Sequence, residues 1–239
     1  MTIYVPDSNG TSSAAPYNLL ILHDGQNLFD ESRAFGHTTW RVRETADALI
    51  AEGRMPPTVI AGIDHGGERR LREFGHGAPA YARFVVRDVL PYLRGEYNVR
   101  PDAAGAAVGG SSLGGLVTLQ IATLHPHAFG SLLVFSPSVW WNRRSVLRTI
   151  RRPGVFTRFF SSAHGIHDDV NVWLSIGLEE GRQAIDDTRR LRDEMLEMRN
   201  GDGSRLRYFE DPAGTHCEAS WAEQLPMALT MDRLHKPGK

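Results

Sequence analysis

Apolar residues along the 239-residue chain fall into short consecutive runs separated by longer amphipathic stretches. Tyr17 to Leu22, Thr58 to Ile63, Ala106 to Val108, Ser131 to Phe135 and Val170 to Ile176 read as strands covered on both faces, because they are apolar without alternation and too short for helices. Thr2 to Val5 adds a strand stopped by Pro6. With the loop Asp7 to Pro16, rich in Ser, Asn, Gly and Ala, it predicts a hairpin at one sheet edge. Arg205 to Glu210 supplies a last strand. Between the strands the period lengthens to that of a helix. Thr38 to about Ala51 places Trp40, Val42, Thr45, Leu49 and Ile50 on an inner face, and Gly53 closes it. Pro79 to about Tyr97 does the same with Phe84, Val85, Val89, Leu90 and Leu93. Further helices are predicted from Leu113 to Ala122 with an end at His125-Pro126, from Gln183 to Met198, and from about Ala219 to Leu234, where Pro226 marks a kink or a later start. Arg143 to Phe160 reads as one or two short helices interrupted at Pro153-Gly154. This alternation, without internal repeats or a linker, predicts an α/β chain. Its mostly parallel, doubly wound sheet lies between two helical layers, a three-layer sandwich in one domain over 1–239.

The chemistry concentrates where those strands end. Gly109 to Gly115 reads Gly-Gly-Ser-Ser-Leu-Gly-Gly, so Gly110, Ser112 and Gly114 fit GxSxG between a buried strand and a helix. That context is the one of a nucleophile elbow, a sharp turn that exposes the serine hydroxyl and aims the helix's free amides at developing negative charge. Ser111 is the rival nucleophile, but it lacks a glycine at the second position on either side. A serine needs a base and an orienting acid, which on this fold follow in the order Ser, Asp or Glu, His. Of the ten histidines, His216 is the one that lies after a late strand and just before the final helix. Glu179 and Glu180 follow the strand ending at Ile176, and spacing leaves the two equal. The oxyanion hole should combine the Leu113 amide with one from Gly25 or Gln26, in the loop His23 to Asp30. The long polar loop Asp64 to Phe74 and the adjacent Trp140 and Trp141 lie at other strand ends. Asp24, Asp64, Arg69, Arg70, Trp140 and Trp141 are therefore candidates for the substrate rim.

Composition narrows the partners. A formal net charge of −1 gives no electrostatic reason for nucleic acid or an anionic membrane. No run approaches a membrane span, and Met1 to Pro6 does not resemble a signal peptide, so the expected location is cytoplasmic. One cysteine excludes an intramolecular disulfide. No phosphate loop or dinucleotide fingerprint appears, and no cofactor is expected. His164, His167, Asp168 and Asp169, or the pairs His23-Asp24 and Asp64-His65, lack a second cluster at ligand spacing, so no metal is expected either.

The chain resembles the esterase D-like, or putative esterase, family of the α/β-hydrolase superfamily, a group that includes feruloyl and acetyl xylan esterases, enterochelin esterases and mycolyltransferases. The resemblance runs over nearly the whole chain. It is carried by His23 to Asp30, Gly62-Ile63-Asp64 with Gly67 to Phe74, Gly110 to Gly115, Phe135-Ser136-Pro137-Ser138 with Trp140-Trp141, Gly177 with Glu180-Gly181, and His216 with Glu218 and Trp221. It implies a Ser112, Glu180, His216 triad and an oxyanion amide at Gln26. Leu178 stands where the family usually has threonine and Cys217 where asparagine is common, and the amino-terminal region is shorter than usual. The implied activity is hydrolysis of a small-molecule carboxylic ester. The rivals are acyl transfer to an alcohol or sugar, cleavage of a siderophore ester with Arg69, Arg70 and Arg72 facing an anionic complex, and a silent α/β-hydrolase-like binding domain. Cys217 beside His216 is a lesser candidate nucleophile.

Overall fold

The structure is a computed structural model that describes residues 1–6, 15–151 and 165–231. Seven strands form its sheet: β1 (Thr2–Tyr4), β2 (Asn18–His23), β3 (Thr58–Ile63), β4 (Ala106–Ser111), β5 (Ser131–Phe135), β6 (Asn171–Gly177) and β7 (Leu206–Asp211), in the order β1-β3-β2-β4-β5-β6-β7. From β3 to β7 every pairing is parallel, and β1 alone runs antiparallel. The predicted edge hairpin is a correction. β1 pairs with β3, Thr2 opposite Gly62 and Tyr4 opposite Ile60, and not with the strand that follows it in sequence. Because β2 pairs on both sides, with β3 and β4, β1 finds its free ladder one strand further out.

Apolar residues occupy consecutive strand positions because each face of the sheet has its own core. Leu19, Ile21, Val108, Leu132 and Val134 enter one cluster, and Leu20, Leu22, Ala107, Leu133 and Phe135 enter the other. Burying each leucine or isoleucine contributes about 2 kcal/mol. The first cluster is covered by α2 (Arg70–Phe74), α3 (Ala78–Phe84), α4 (Leu90–Glu96), α5 (Leu113–Leu124), α7 (Val146–Thr149) and α8 (Arg182–Met198). The second is covered by α1 (Val42–Ala51) and α9 (Glu218–Leu229), with Val42, Ala46 and Leu49 facing Trp221, Leu225 and Leu229. The short α6 spans Trp141–Arg144.

Further expectations are corrected. The helix predicted from Thr38 starts at Val42, because Thr38 is extended and Arg41 is left-handed (φ 51°). Trp40 is still buried, from the loop. The segment predicted from Pro79 to Tyr97 is helical but carries a wide turn, Val85–Val89, between α3 and α4 and just ahead of Pro91. A proline supplies no amide and crowds the preceding turn, and a locally widened helix accommodates both effects. Phe84 points out and is 45% exposed, because Ala78, Ala82, Val85, Val89 and Leu93 form the buried stripe. The polar loop after β3 contains α2, so it is partly helical. α9 runs through Pro226, and the predicted break at Pro153-Gly154 lies outside the described residues.

Candidate active site

Every candidate side chain sits at the carboxyl end of a parallel strand or in the loop that follows one. The turn between β4 and α5 is built by close approach. A Cβ on Gly110 would lie 3.1 Å from the carbonyl carbon of Gly114, and one on Gly114 would lie 3.2 Å from Asp24 Oδ2. With both glycines the helix can start directly behind the strand, which forces Ser112 to φ 57°, ψ −121°. Such a conformation costs about 1–3 kcal/mol for a residue with a side chain. It is held by the Ser112 amide donating to Phe135 O (3.0 Å) and by the Ser112 carbonyl accepting from Ser138 N (2.9 Å) and Leu116 N (3.1 Å). Ser111 is the last residue of β4 and 5% exposed, so the turn presents Ser112.

The structure brings Ser112, His216 and Glu180 together. Ser112 Oγ lies 3.0 Å from His216 Nε2, and His216 Nδ1 lies 2.6 Å from Glu180 Oε2. Glu179 is exposed. The Glu180 side chain is 1% exposed, and its second oxygen accepts from Gly177 N (2.9 Å) and from Ser136 Oγ. Ser136 in turn accepts from Trp221 Nε1 at 3.0 Å, and the Trp221 ring stands edge-on to His216 with centroids 5.1 Å apart. Ser136 and Trp221 are partners that spacing did not single out for the site. Their sequence signal was their place in the motifs that carry the family resemblance, Phe135-Ser136-Pro137-Ser138 and His216 with Glu218 and Trp221. The loops carrying Glu180 and His216 are tied by backbone bonds, Leu178 N to Asp211 O (2.8 Å) and Glu179 N to Gly214 O (3.0 Å). Ser138 Oγ is a second hydroxyl near the serine, 3.3 Å from Ser112 Oγ.

The amide of Leu113 opens α5, and the first amides of a helix have no acceptor within it. Gln26 lies in a single tight turn, Gly25–Asn27, whose first bond is Asn27 N to Asp24 O (2.9 Å), so its own amide precedes that bond. Gly25 is packed where a Cβ would lie 2.5 Å from the Gly62 carbonyl, beneath the turn.

The other candidates divide. Asp24 is 5% exposed and bound by both arms of Arg70, Nε and Nη2 each at 2.7 Å, so both are committed to each other. Asp64 accepts from Arg33 Nη2 (2.9 Å), and the exposed Arg69 lies 3.6 Å from Glu73. Trp141 packs on His76, with ring centroids 5.2 Å apart, and Trp140 is half exposed beside it. Behind the site, burial and then the Arg70 charge hold the His23 imidazole down to about 3. His23 is therefore neutral, with Nδ1 3.0 Å from the Tyr81 hydroxyl. The Cys217 thiol faces Thr215 Oγ1 (3.2 Å) and Ser220 Oγ (3.6 Å). Burial raises its pKa, but the hydrogen bonds of Thr215 and Ser220 and the backbone bonds of Ser220 and Ala219 outweigh that and leave it lowered. A recess of about 470 Å³ lined by His127, His167, Asn171 and Arg205 lies at the opposite, amino end of β4 to β7.

A serine hydroxyl bonded to an imidazole that is itself bonded to a buried carboxylate can pass its proton to Nε2 as the oxygen attacks, while the carboxylate steadies the charge formed on the ring. Among the described residues no helix is long and apolar enough to cross a membrane.

The chain matches the family described as "Putative esterase" over residues 1–231. It is 30% identical over 187 residues to the iron(III) salmochelin esterase of Escherichia coli O6:H1, covering 75% of this chain and 42% of that one. It is 31% identical over 241 residues to the siderophore enterobactin esterase of Emericella nidulans, covering 91% and 74%. The chain thus spans less than half the length of the first of these relatives. Among solved structures, the BES protein from Bacillus cereus superposes with a TM-score of 0.73 at 19% identity, over 98% of this chain and 88% of that one. The enterobactin esterase from Shigella flexneri gives 0.73 at 20% identity, over 95% and 53%. Strand order, elbow and sequence agree: the chain belongs to the Putative esterase family and has the α/β-hydrolase fold.

Proposed function

We propose that the protein is a serine carboxylic ester hydrolase. Ser112 attacks the ester carbonyl, His216 takes the serine proton on Nε2, and Glu180 holds the Nδ1–H and steadies the imidazolium. The tetrahedral oxyanion is received by the amides of Leu113 and Gln26. The proton on His216 then passes to the departing alcohol, leaving an acyl-enzyme on Ser112. A water deprotonated by His216 attacks that acyl group, and as the second tetrahedral intermediate collapses and the acid leaves, His216 returns the proton to Ser112 Oγ. The observation that carries this reading is the continuous chain of bonds from Ser112 Oγ to Nε2 (3.0 Å) and from Nδ1 to Glu180 (2.6 Å).

A siderophore ester is the substrate class the relatives support, since the two described above are named salmochelin and enterobactin esterases and a third, at 29% identity, is named a ferri-bacillibactin esterase. The arginines do not add to that support. Arg70 is neutralised by Asp24 and Arg69 lies beside Glu73, which leaves Arg72 as the exposed cation of the three that has no ion pair among the described residues. Asp64, Trp140 and Trp141 remain as the rim of the substrate pocket in this reading. The test is turnover of p-nitrophenyl esters from acetate to octanoate, a feruloyl ester and a catecholate trilactone by the wild type and by Ser112→Ala. Hydrolysis by the wild type alone supports the reading, and preference for the trilactone identifies the class. Equal rates for the two proteins overturn it.

A further inference from the structure

The turn bearing the Gln26 amide is held by three tethers. Asp24 is gripped by Arg70 of α2, and Gln26 Oε1 accepts from His65 N at 3.4 Å, so two tethers run to the segment after β3. The third runs the other way. Asn27 Nδ2 donates to Glu218 Oε1 at 3.0 Å, across 191 positions of sequence. Glu218 is two residues beyond His216 and is the first residue of α9.

The orientation of Asn27 is fixed by its own partners. Its Oδ1 accepts from Phe35 N at 3.0 Å, so Nδ2, a donor, faces Glu218. Asn27 is 9% exposed, and a buried amide of this kind is costly to leave unpaired. An acidic residue in the first turn of a helix is ordinary, since the helix dipole favours it there. A bond from that residue to a turn 191 positions earlier in the chain is not. Other bonds holding the base segment include Thr215 N to Ser220 Oγ (3.0 Å), Gln224 Nε2 to Asp211 Oδ2 (3.1 Å), Leu178 N to Asp211 O and Glu179 N to Gly214 O. These tie His216 to α9 and to the acid loop, and none reaches the Gln26 turn.

We infer that Glu218 is a positioning residue: by accepting from Asn27 it sets the oxyanion turn against the His216 segment, so that the amide receiving the carbonyl oxygen and the imidazole handling the proton keep one register. This rests on the ester-hydrolase reading above. Contact with the oxyanion is made in the transition state, so loss of register lowers kcat and leaves KM nearly unchanged.

The experiment compares wild type, Glu218→Ala, Asn27→Asp and the double variant Asn27→Asp with Glu218→Gln, using p-nitrophenyl butyrate kinetics and the rate of covalent labelling by a fluorophosphonate. Asn27→Asp keeps the acceptor for Phe35 N but sets a carboxylate against Glu218, and the double variant restores a donor and acceptor in reversed order. Glu218→Ala and Asn27→Asp are expected to lower kcat by about tenfold or more with KM changed by less than about twofold, because a small misplacement of a reacting group is expensive. The double variant should recover kcat to within about threefold of wild type. Wild-type kcat in Glu218→Ala, a rise in KM at constant kcat, or a double variant as poor as Asn27→Asp each overturns the inference. Failure of the wild type to label at Ser112 defeats the ester-hydrolase reading itself, whereas labelling of wild type and Glu218→Ala at equal rates defeats the positioning role alone.

Discussion

His216 and Glu180 meet at 2.6 Å with opposite exposures: the imidazole side chain is 46% exposed and the carboxylate beneath it 1%. The imidazole therefore faces solvent while the carboxylate is sealed behind it, bonded to Gly177 N and Ser136 Oγ as well. Glu180→Gln keeps the shape but gives Nδ1 a partner that no longer favours the proton there. Removing the orienting charge in this way is expected to lower kcat by about 10³- to 10⁴-fold. Steady-state kinetics on a p-nitrophenyl ester, with circular dichroism to show an intact fold, check it.

Ser136 stands between Glu180 and the Trp221 indole. Ser136→Ala leaves the indole N–H unpaired in a buried setting and removes one of the bonds that fix Glu180. Loss of stability of about 1–3 kcal/mol is expected, with a fall in kcat larger than any rise in KM. Trp221→Phe, which has no N–H to strand, should cost less activity than Ser136→Ala; urea denaturation and kinetics on the pair decide this.

Arg70 and Asp24 form a bidentate pair in which the carboxylate is 8% exposed at the side chain and the guanidinium 26%. Arg70→Met strands the Asp24 charge, and unfolding free energy should drop by about 3 kcal/mol or more. Adding Asp24→Asn should recover much of that loss, because neither charge then remains. Thermal denaturation of both variants distinguishes this from loss of arginine packing on Phe74, which the second substitution would not repair.

His23 gives the pH dependence its sign. Its imidazole is held to about 3 in the fold against 6.5 for the ordinary group, by burial first and by Arg70 second. The unfolded chain therefore binds a proton that the folded chain refuses. The stability contributed by neutral His23 is fully present above 6.5 and is lost as pH falls from 6.5 towards 3. A His23→Gln variant should have a flatter melting temperature across that interval than the wild type.

Gly177 precedes the acid turn and lies under the base loop, where a Cβ would come 2.2 Å from Gly214 O. Gly177→Ala must push the 211–216 loop away. About 1–3 kcal/mol of stability and most of the activity should go together, read by denaturation and by turnover of the same ester.

Much of this was legible in the chain. Continuous apolar runs such as Tyr17 to Leu22 announced strands covered on both faces, and Gly110-Ser111-Ser112-Leu113-Gly114 between a strand and a helix announced the elbow. Spacing points to His216 and leaves Glu179 and Glu180 equal. The two residues differ in whether the side chain turns in or out, a property of the turn after β6 that no periodicity encodes. β1 was misplaced because a short apolar strand carries no information about which neighbour has a free edge. Phe84 was misassigned because a helical pattern assumes one constant period and the wide turn at Val85–Val89 breaks it. The bonds Ser136–Trp221 and Asn27–Glu218 join segments 85 and 191 positions apart and leave no local trace.

The central claim is that Ser112 is the nucleophile of an acyl-enzyme. Reaction with a fluorophosphonate probe, followed by peptide mass mapping, tests it most directly. The account predicts one label, on the peptide carrying Ser112, absent in Ser112→Ala and much slowed in His216→Ala. A folded wild type that takes no label, or a label on Ser111, Ser138 or Cys217 that persists in Ser112→Ala, would contradict it.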